Sequence, residues 1–278
     1  MRLTYSGWIL VPGLFCFEAA AAKLPESASA ANDAHQAILS QGWKTTPAEA
    51  AQLESQLARH PQDVAARTRL ISYYYQQTIA ARRARHILWL IENHPEAEVF
   101  LIASDVTQMA PGWHGLNSAA DWEKTRMLWL REAERFSSHP TVLASAAQAL
   151  PVEDSMRLMQ RLRSLEPSNA VWTVNLASIY ARAVRDVFYA GEPTAGRAFA
   201  KSVRYREMWH MALPSAGPAL AAKLKKELET SSDAGLVSAT GELLMEESAS
   251  LGENGQTPEV VKGAAFGKQL LERARQGR

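Results

Sequence analysis

Residues 61–95 read PQDVAARTRLISYYYQQTIAARRARHILWLIENHP, and the spacing of apolar side chains in and around this stretch decides the fold. Leu70 and Tyr74 follow Pro61 by nine and thirteen residues, and the same intervals recur in Pro167, Leu176 and Tyr180. Leu53 and Leu57 precede Pro61 by eight and four residues, and Ile87 and Ile91 stand in the same relation to Pro95. An i, i+4 pair shares one face of a helix, so each pair marks a buried stripe leading up to a proline. Proline lacks an amide donor and disfavours helical geometry in the residue before it, which predicts helix ends near His60, His94, His139 and Glu166. Fingerprints that recur between helical stretches predict an all-α chain of antiparallel helix hairpins, each burying its apolar face against its neighbours.

Working outward, the pattern predicts helices at 47–59, 62–78, 80–93 and 97–109, then at 121–137, 141–149, 152–165 and 168–188. Thr46-Pro47-Ala48-Glu49 reads as a capping box with proline at the first helical position, a strong start signal. Ala110 through Ala120, with Pro111, Gly112, Gly115 and Asn117, reads as an inserted loop. Gly191, Pro193 and Gly196 mark a break, after which helices are expected at 196–211, 218–230, 233–248 and 258–275. The alanine- and serine-rich residues 23–45 read as a linker or disordered leader. The expected organisation is therefore repeats over 46–190 and further helical hairpins over 191–278.

From Pro61 to Pro95 is 34 residues, the length of a tetratricopeptide repeat, and Leu70, Tyr74 and Ala84 resemble that family's leucine, tyrosine and second-helix alanine. The unit after Pro167 is similar through Leu176, Ala177 and Tyr180. Ile71 stands at the usual small-residue position, and the 45- and 27-residue spacings between Pro95, Pro140 and Pro167 leave the register, so the repeats are degenerate. The resemblance covers about residues 47–190 and implies a stacked α-α superhelix, or solenoid, that binds protein segments.

Of 278 residues, 30 are Lys or Arg and 29 Asp or Glu, for a formal charge of +1. That balance carries no whole-molecule footprint for nucleic acid or anionic membrane. Residues 1–22 read as a secretory signal peptide: Arg2, an apolar segment from Trp8 to Phe17 too short to span a bilayer, and alanines from Ala19 to Ala22. Cleavage there predicts a periplasmic or secreted bacterial protein. Its one cysteine, Cys16, would leave with the leader, so neither disulfides nor thiolate metal sites are expected. Gly13-Leu14-Phe15-Cys16 resembles a lipoprotein acylation site, and an uncleaved start would mean a cytoplasmic scaffold; both remain as alternatives.

The sequence lacks a Gly-rich phosphate loop, a GxSxG elbow, a CxxCH haem site and paired-cysteine zinc spacing, so no cofactor or metal is called for. His60, His94 and His139 precede punctuating prolines and read as helix C-terminal residues that complement the dipole, while His35, His86 and His210 stand outside HExxH spacing. Trp113 and His114 on the Gly-flanked insert offer stacking area and a titratable group. Tyr73, Tyr74 and Tyr75 fan about 100° apart around one helix, so with Tyr74 structural, Tyr73 or Tyr75 is left for a groove. Arg82, Arg83 and Arg85 with His86, and Lys223, Lys225 and Lys226, read as solvated faces able to receive an acidic group. The residues picked for partner contact are Tyr73, Tyr75, Arg82, Trp113 and His114. Together these readings predict a non-enzymatic interaction or assembly scaffold; the rival is an envelope enzyme on a helical scaffold, acting on a glycan or peptide through carboxylates gathered by folding.

Overall fold

The computed structural model of the protein describes residues 27–109, 118–189, 218–252 and 258–276. Among them the chain is all-α, with thirteen helices and no strand. In chain order these are α1 (Ser27–Lys44), α2 (Pro47–Arg59), α3 (Val64–Gln76), α4 (Ala80–Asn93), α5 (Val99–Ile102), α6 (Ser104–Thr107) and α7 (Ala119–Arg135). There follow α8 (Pro140–Ala149), α9 (Val152–Leu165), α10 (Ala170–Tyr189), α11 (Pro218–Thr230), α12 (Ala234–Gly252) and α13 (Pro258–Gln276). No helix among the described residues is long and apolar enough to cross a membrane. The expected signal peptide, the bulk of the 110–120 insert and the helix at 196–211 lie outside the described residues.

The helix starts follow the local chemistry. Thr46 Oγ1 accepts from the Glu49 amide at 3.2 Å while Glu49 Oε2 accepts from the Thr46 amide at 2.7 Å, completing the box that opens α2. Asp63 caps α3 through the Ala66 amide at 2.9 Å, and Ser118 caps α7 through the Asp121 amide at 3.0 Å. His60, His94 and Glu166 cap the C-termini of α2, α4 and α9, as the prolines require. His139 does not: α7 ends at Arg135 with Phe136 as its cap, and His139 is instead the N-cap of α8, whose first turn holds Pro140. Proline's fixed φ suits a helix start as well as a stop, so spacing alone misassigned it.

Packing runs mostly between sequence neighbours. α3 packs on α2 and α4, α4 on α7, α7 on α8, α8 on α9, α9 on α10, α10 on α11 and α12, and α12 on α13. One continuous core extends from Leu39 to Ala274, and a smaller cluster of Ala50, Leu57, Ala66, Leu70, Tyr73 and Tyr74 joins α2 to α3. Leu70 and Leu176, the repeated leucines, are fully buried, and both repeated tyrosines hide their rings while donating a hydroxyl hydrogen to a glutamate. Tyr74 reaches Glu54 at 2.8 Å and Tyr180 reaches Glu227 at 3.0 Å. At the far end α12 and α13 approach closely enough that a Cβ on Gly241 would lie 2.9 Å from the Gly267 carbonyl, and one on Gly267 would lie as near the Gly241 carbonyl.

Two expected elements differ. Residues 27–44 are helical rather than linker, because α1 lays Leu39 into the main core and packs on α3. The expected 97–109 helix is two short ones, broken at Ala103 (φ −128°, ψ 52°), which lets Val99, Phe100, Val106 and Met109 all be buried. Thr78, in the α3–α4 turn, has φ 55°, left-handed backbone that a β-branched residue adopts at a cost of about 1–2 kcal/mol. Thr78→Gly is therefore expected to raise stability by about 0.5–1 kcal/mol after glycine's own entropy cost, a gain that urea denaturation would measure.

Candidate functional site

α2 and α7 flank α4 and leave an open groove of about 790 Å³. Its apolar lining is Leu57 and Ala58 from α2 and Ala81, Ala84, Leu88 and Trp89 from α4. The rim carries Glu54, Arg67, Arg85, Glu92, Asp121 and Lys124.

A buried polar network forms one wall. Glu54 Oε1 on α2 accepts from the Tyr74 hydroxyl of α3 at 2.8 Å and from Arg85 Nη2 of α4 at 2.7 Å, and lies 3.1 Å from His86 Nε2. Its second oxygen accepts from the same Arg85 nitrogen at 2.8 Å. His86 is 1% exposed, and its ring lies parallel to that of Tyr74, 5.8 Å away. On its other side Arg67 Nη1 stands 3.4 Å from Nδ1. A guanidinium can only donate, so Nδ1 accepts and the hydrogen of the neutral ring sits on Nε2, pointing at Glu54. Arg67 also donates Nε and Nη2 to the Pro61 carbonyl at 3.2 and 2.8 Å, and its guanidinium lies over the Trp89 ring at 3.5 Å.

The charges follow from these contacts. Burial lowers the His86 pKa below 6.5 and the Arg85 and Arg67 charges add to it, outweighing Glu54. Burial also pushes the Glu54 carboxyl up, but bonds from Tyr74 and His86 and the Arg85 charge overcome it and hold it below its ordinary value. The network thus keeps a neutral imidazole beside an ionised carboxylate. Both His86 nitrogens thus have partners within the network.

The residues picked from sequence are not gathered here. Tyr73 is buried in the α2–α3 cluster, its ring 5.2 Å from that of Tyr74. Tyr75 is half-buried against the main core, with its hydroxyl pKa pushed up to about 12 by burial and by Asp105 of α6. Both rings fill seams rather than facing an open surface, because α2 covers one side of α3 and α6 another. Arg82 is exposed, and its Nη1 donates to the Tyr74 hydroxyl at 3.4 Å, placing it beside the network but off the groove lining. Trp113 and His114 lie outside the described residues.

The basic run divides by face. Arg82 and Arg85 are exposed, whereas Arg83 is fully buried, donates to the Gln108 carbonyl, and is lowered to about 10 by burial. Lys223 and Lys225 pair with Glu227 and Glu229 along α11. Glu54 and Trp89 were missed as site residues because they reach the groove from helices far apart in sequence. One signal was readable: the repeated tyrosines both need a hydroxyl partner, and the carboxylates of Glu54 and Glu227 supply it. Among the described residues no group of three or more His, Cys, Asp or Glu side chains is placed to hold a metal. In a scan against protein-family models and in searches of curated proteins and of solved structures, nothing matches the chain.

Proposed function

We propose that this chain is an exported, non-enzymatic helical-repeat protein of the bacterial envelope, a tetratricopeptide-like stack that binds a protein or peptide segment in the α2–α4–α7 groove. The observation that carries this reading is the groove itself: an open channel with an apolar floor, an aromatic face at Trp89 and a rim of both charge signs. Such a channel suits an extended segment whose apolar side chains lie on the floor and whose polar groups meet the rim. The neighbour-to-neighbour order of helix packing and the matching burial of Leu70 with Tyr74 and of Leu176 with Tyr180 support a repeat stack. An acid–base enzyme needs a carboxyl or imidazole free to exchange a proton with substrate, and Glu54 and His86 satisfy each other instead.

The test is selection from a displayed random-peptide library on the purified protein, followed by Kd measurement on the enriched sequences. Ala81 lines the groove and is exposed, so Ala81→Trp fills the channel without entering the core. Binding is expected to weaken by tenfold or more, roughly 1.4 kcal/mol, in that variant and to hold in Lys226→Ala on the distant, exposed face of α11. No enrichment, or equal binding by Ala81→Trp, would overturn the reading.

A further inference from the structure

Pairing off the charges that line the groove leaves an imbalance. Glu54 meets Arg85 at 2.7 Å, and Glu92 meets Arg131 of α7 at 3.4 Å. Asp121 accepts the Ser118 hydroxyl at 2.7 Å where α7 begins. Arg67 and Lys124 are left over: among the described residues neither forms an ion pair with a carboxylate. Arg67 is the more constrained of the two, being only 7% exposed. Its Nε and Nη2 donate to the Pro61 carbonyl, its Nη1 faces His86 Nδ1 at 3.4 Å, and its guanidinium lies over the Trp89 ring. Each of those partners is neutral. Three of the five guanidinium hydrogens are thereby placed, and two remain for an anion.

We propose that the groove selects an acidic, apolar segment: an Asp or Glu side chain of the bound peptide meets Arg67 beside Trp89, and its apolar neighbours lie on Leu57, Ala81 and Leu88. This deepens the groove reading above and rests on it. Lys124 of α7, exposed and without a counter-charge, adds to the attraction. A guanidinium held in place by a carbonyl and a ring loses little freedom when a carboxylate arrives, and a partly desolvated site strengthens the pair. The incoming anion also supplies what Arg67 lacks, since Glu54 and Asp63 act on its charge only through space. A basic segment has the opposite prospect. It would approach Arg67, Arg85 and Lys124 while Glu54 and Glu92 are already taken by arginines.

The test uses the full chain and the peptides enriched from the displayed random library. Those peptides are expected to carry Asp or Glu beside apolar residues. In the tightest binder, replacing the acid by its amide is expected to weaken binding by about tenfold or more. Arg67→Gln should bind the acid and amide peptides about equally, whereas Lys124→Glu should weaken the acid peptide by about threefold and leave the amide peptide unchanged. Ala81→Trp should weaken both peptides, which separates the two readings. Absence of any binder, or binding indifferent to Ala81→Trp, overturns the groove reading and this inference with it. Binders that Ala81→Trp blocks but that are not enriched in acids, or that bind as acid and amide alike, overturn this inference alone. An undiminished acid preference in folded Arg67→Gln overturns it too. Should Arg67→Gln fail to fold by circular dichroism, Lys124→Glu decides, and an unchanged affinity for the acid peptide overturns the proposal.

Discussion

Trp129→Ala is expected to lower the free energy of unfolding by about 3–5 kcal/mol. Trp129 lies on α7, which packs between α4 and α8, and is 1% exposed. Its ring meets Phe100 of α5 edge-on, with centroids 4.8 Å apart and planes at 80°, an arrangement that adds to area burial. Truncation leaves a cavity in the core to which α4, α7 and α8 all contribute. A chain built largely of neighbour contacts also couples its ends through such a helix, so the urea transition should broaden or divide into two steps. Trp43, 48% exposed on α1, is the control: Trp43→Ala should fall within about 0.5 kcal/mol. A loss below about 1.5 kcal/mol for Trp129→Ala would mean that the ring is not enclosed as described.

Gly42→Ala is expected to cost about 1–3 kcal/mol and to detach α1 from α3. A Cβ at Gly42 would lie 2.1 Å from Ser72 Oγ and 2.5 Å from the Ser72 carbonyl carbon. The serine hydroxyl could rotate away, but the backbone behind it cannot, and Ser72 is itself fully buried. The rest of the α1 anchorage depends on that approach. Ser72 Oγ donates to the Leu39 carbonyl at 3.4 Å, Arg69 Nε donates to Thr45 Oγ1 at 2.9 Å, and His35 Nδ1 meets the Ile102 carbonyl at 2.8 Å. An alanine normally favours a helix over glycine by about 1 kcal/mol, so the variant separates propensity from packing. Amide hydrogen exchange over residues 27–44 is the measurement. Faster exchange there with little change in α8–α10 is expected, while slower exchange would show that helix propensity outweighs the contact.

These two sites show where sequence reading succeeds and where it stops. Trp129 lies within a helix that the apolar period located to within two residues at each end, and Leu53, Leu57, Ile87 and Ile91 were read correctly as helix faces before prolines. Gly42 was passed over, since nothing near it in sequence says that Ser72 will lie against it. The same limit applies to the aromatic triplet. An angular fan leaves some ring unaccounted for on one helix, but only the packing of α2 and α6 on α3 places Tyr73 and Tyr75 in seams. In the run from Arg82 to His86 the charges alone read as one solvated face. Helical geometry divides them, turning Arg83 and His86, three residues apart on one face, inward and leaving Arg82 and Arg85 exposed.

The sequence by itself determined the all-α class, most helix boundaries, the capping box at Thr46 and the structural role of Leu70, Tyr74, Leu176 and Tyr180. Those are local properties, carried by periodicity, proline and caps over a few turns of chain. Only the tertiary structure decided that residues 27–44 form a packed helix, that α7 borders a groove floored by α4, and that Glu54, Arg67, Tyr74 and His86 share one buried network. Glu54 and His86 are 32 residues apart. A carboxylate, a guanidinium and an imidazole drawn from three helices acquire their protonation states from one another, through burial and distance, and neither quantity exists until the helices pack.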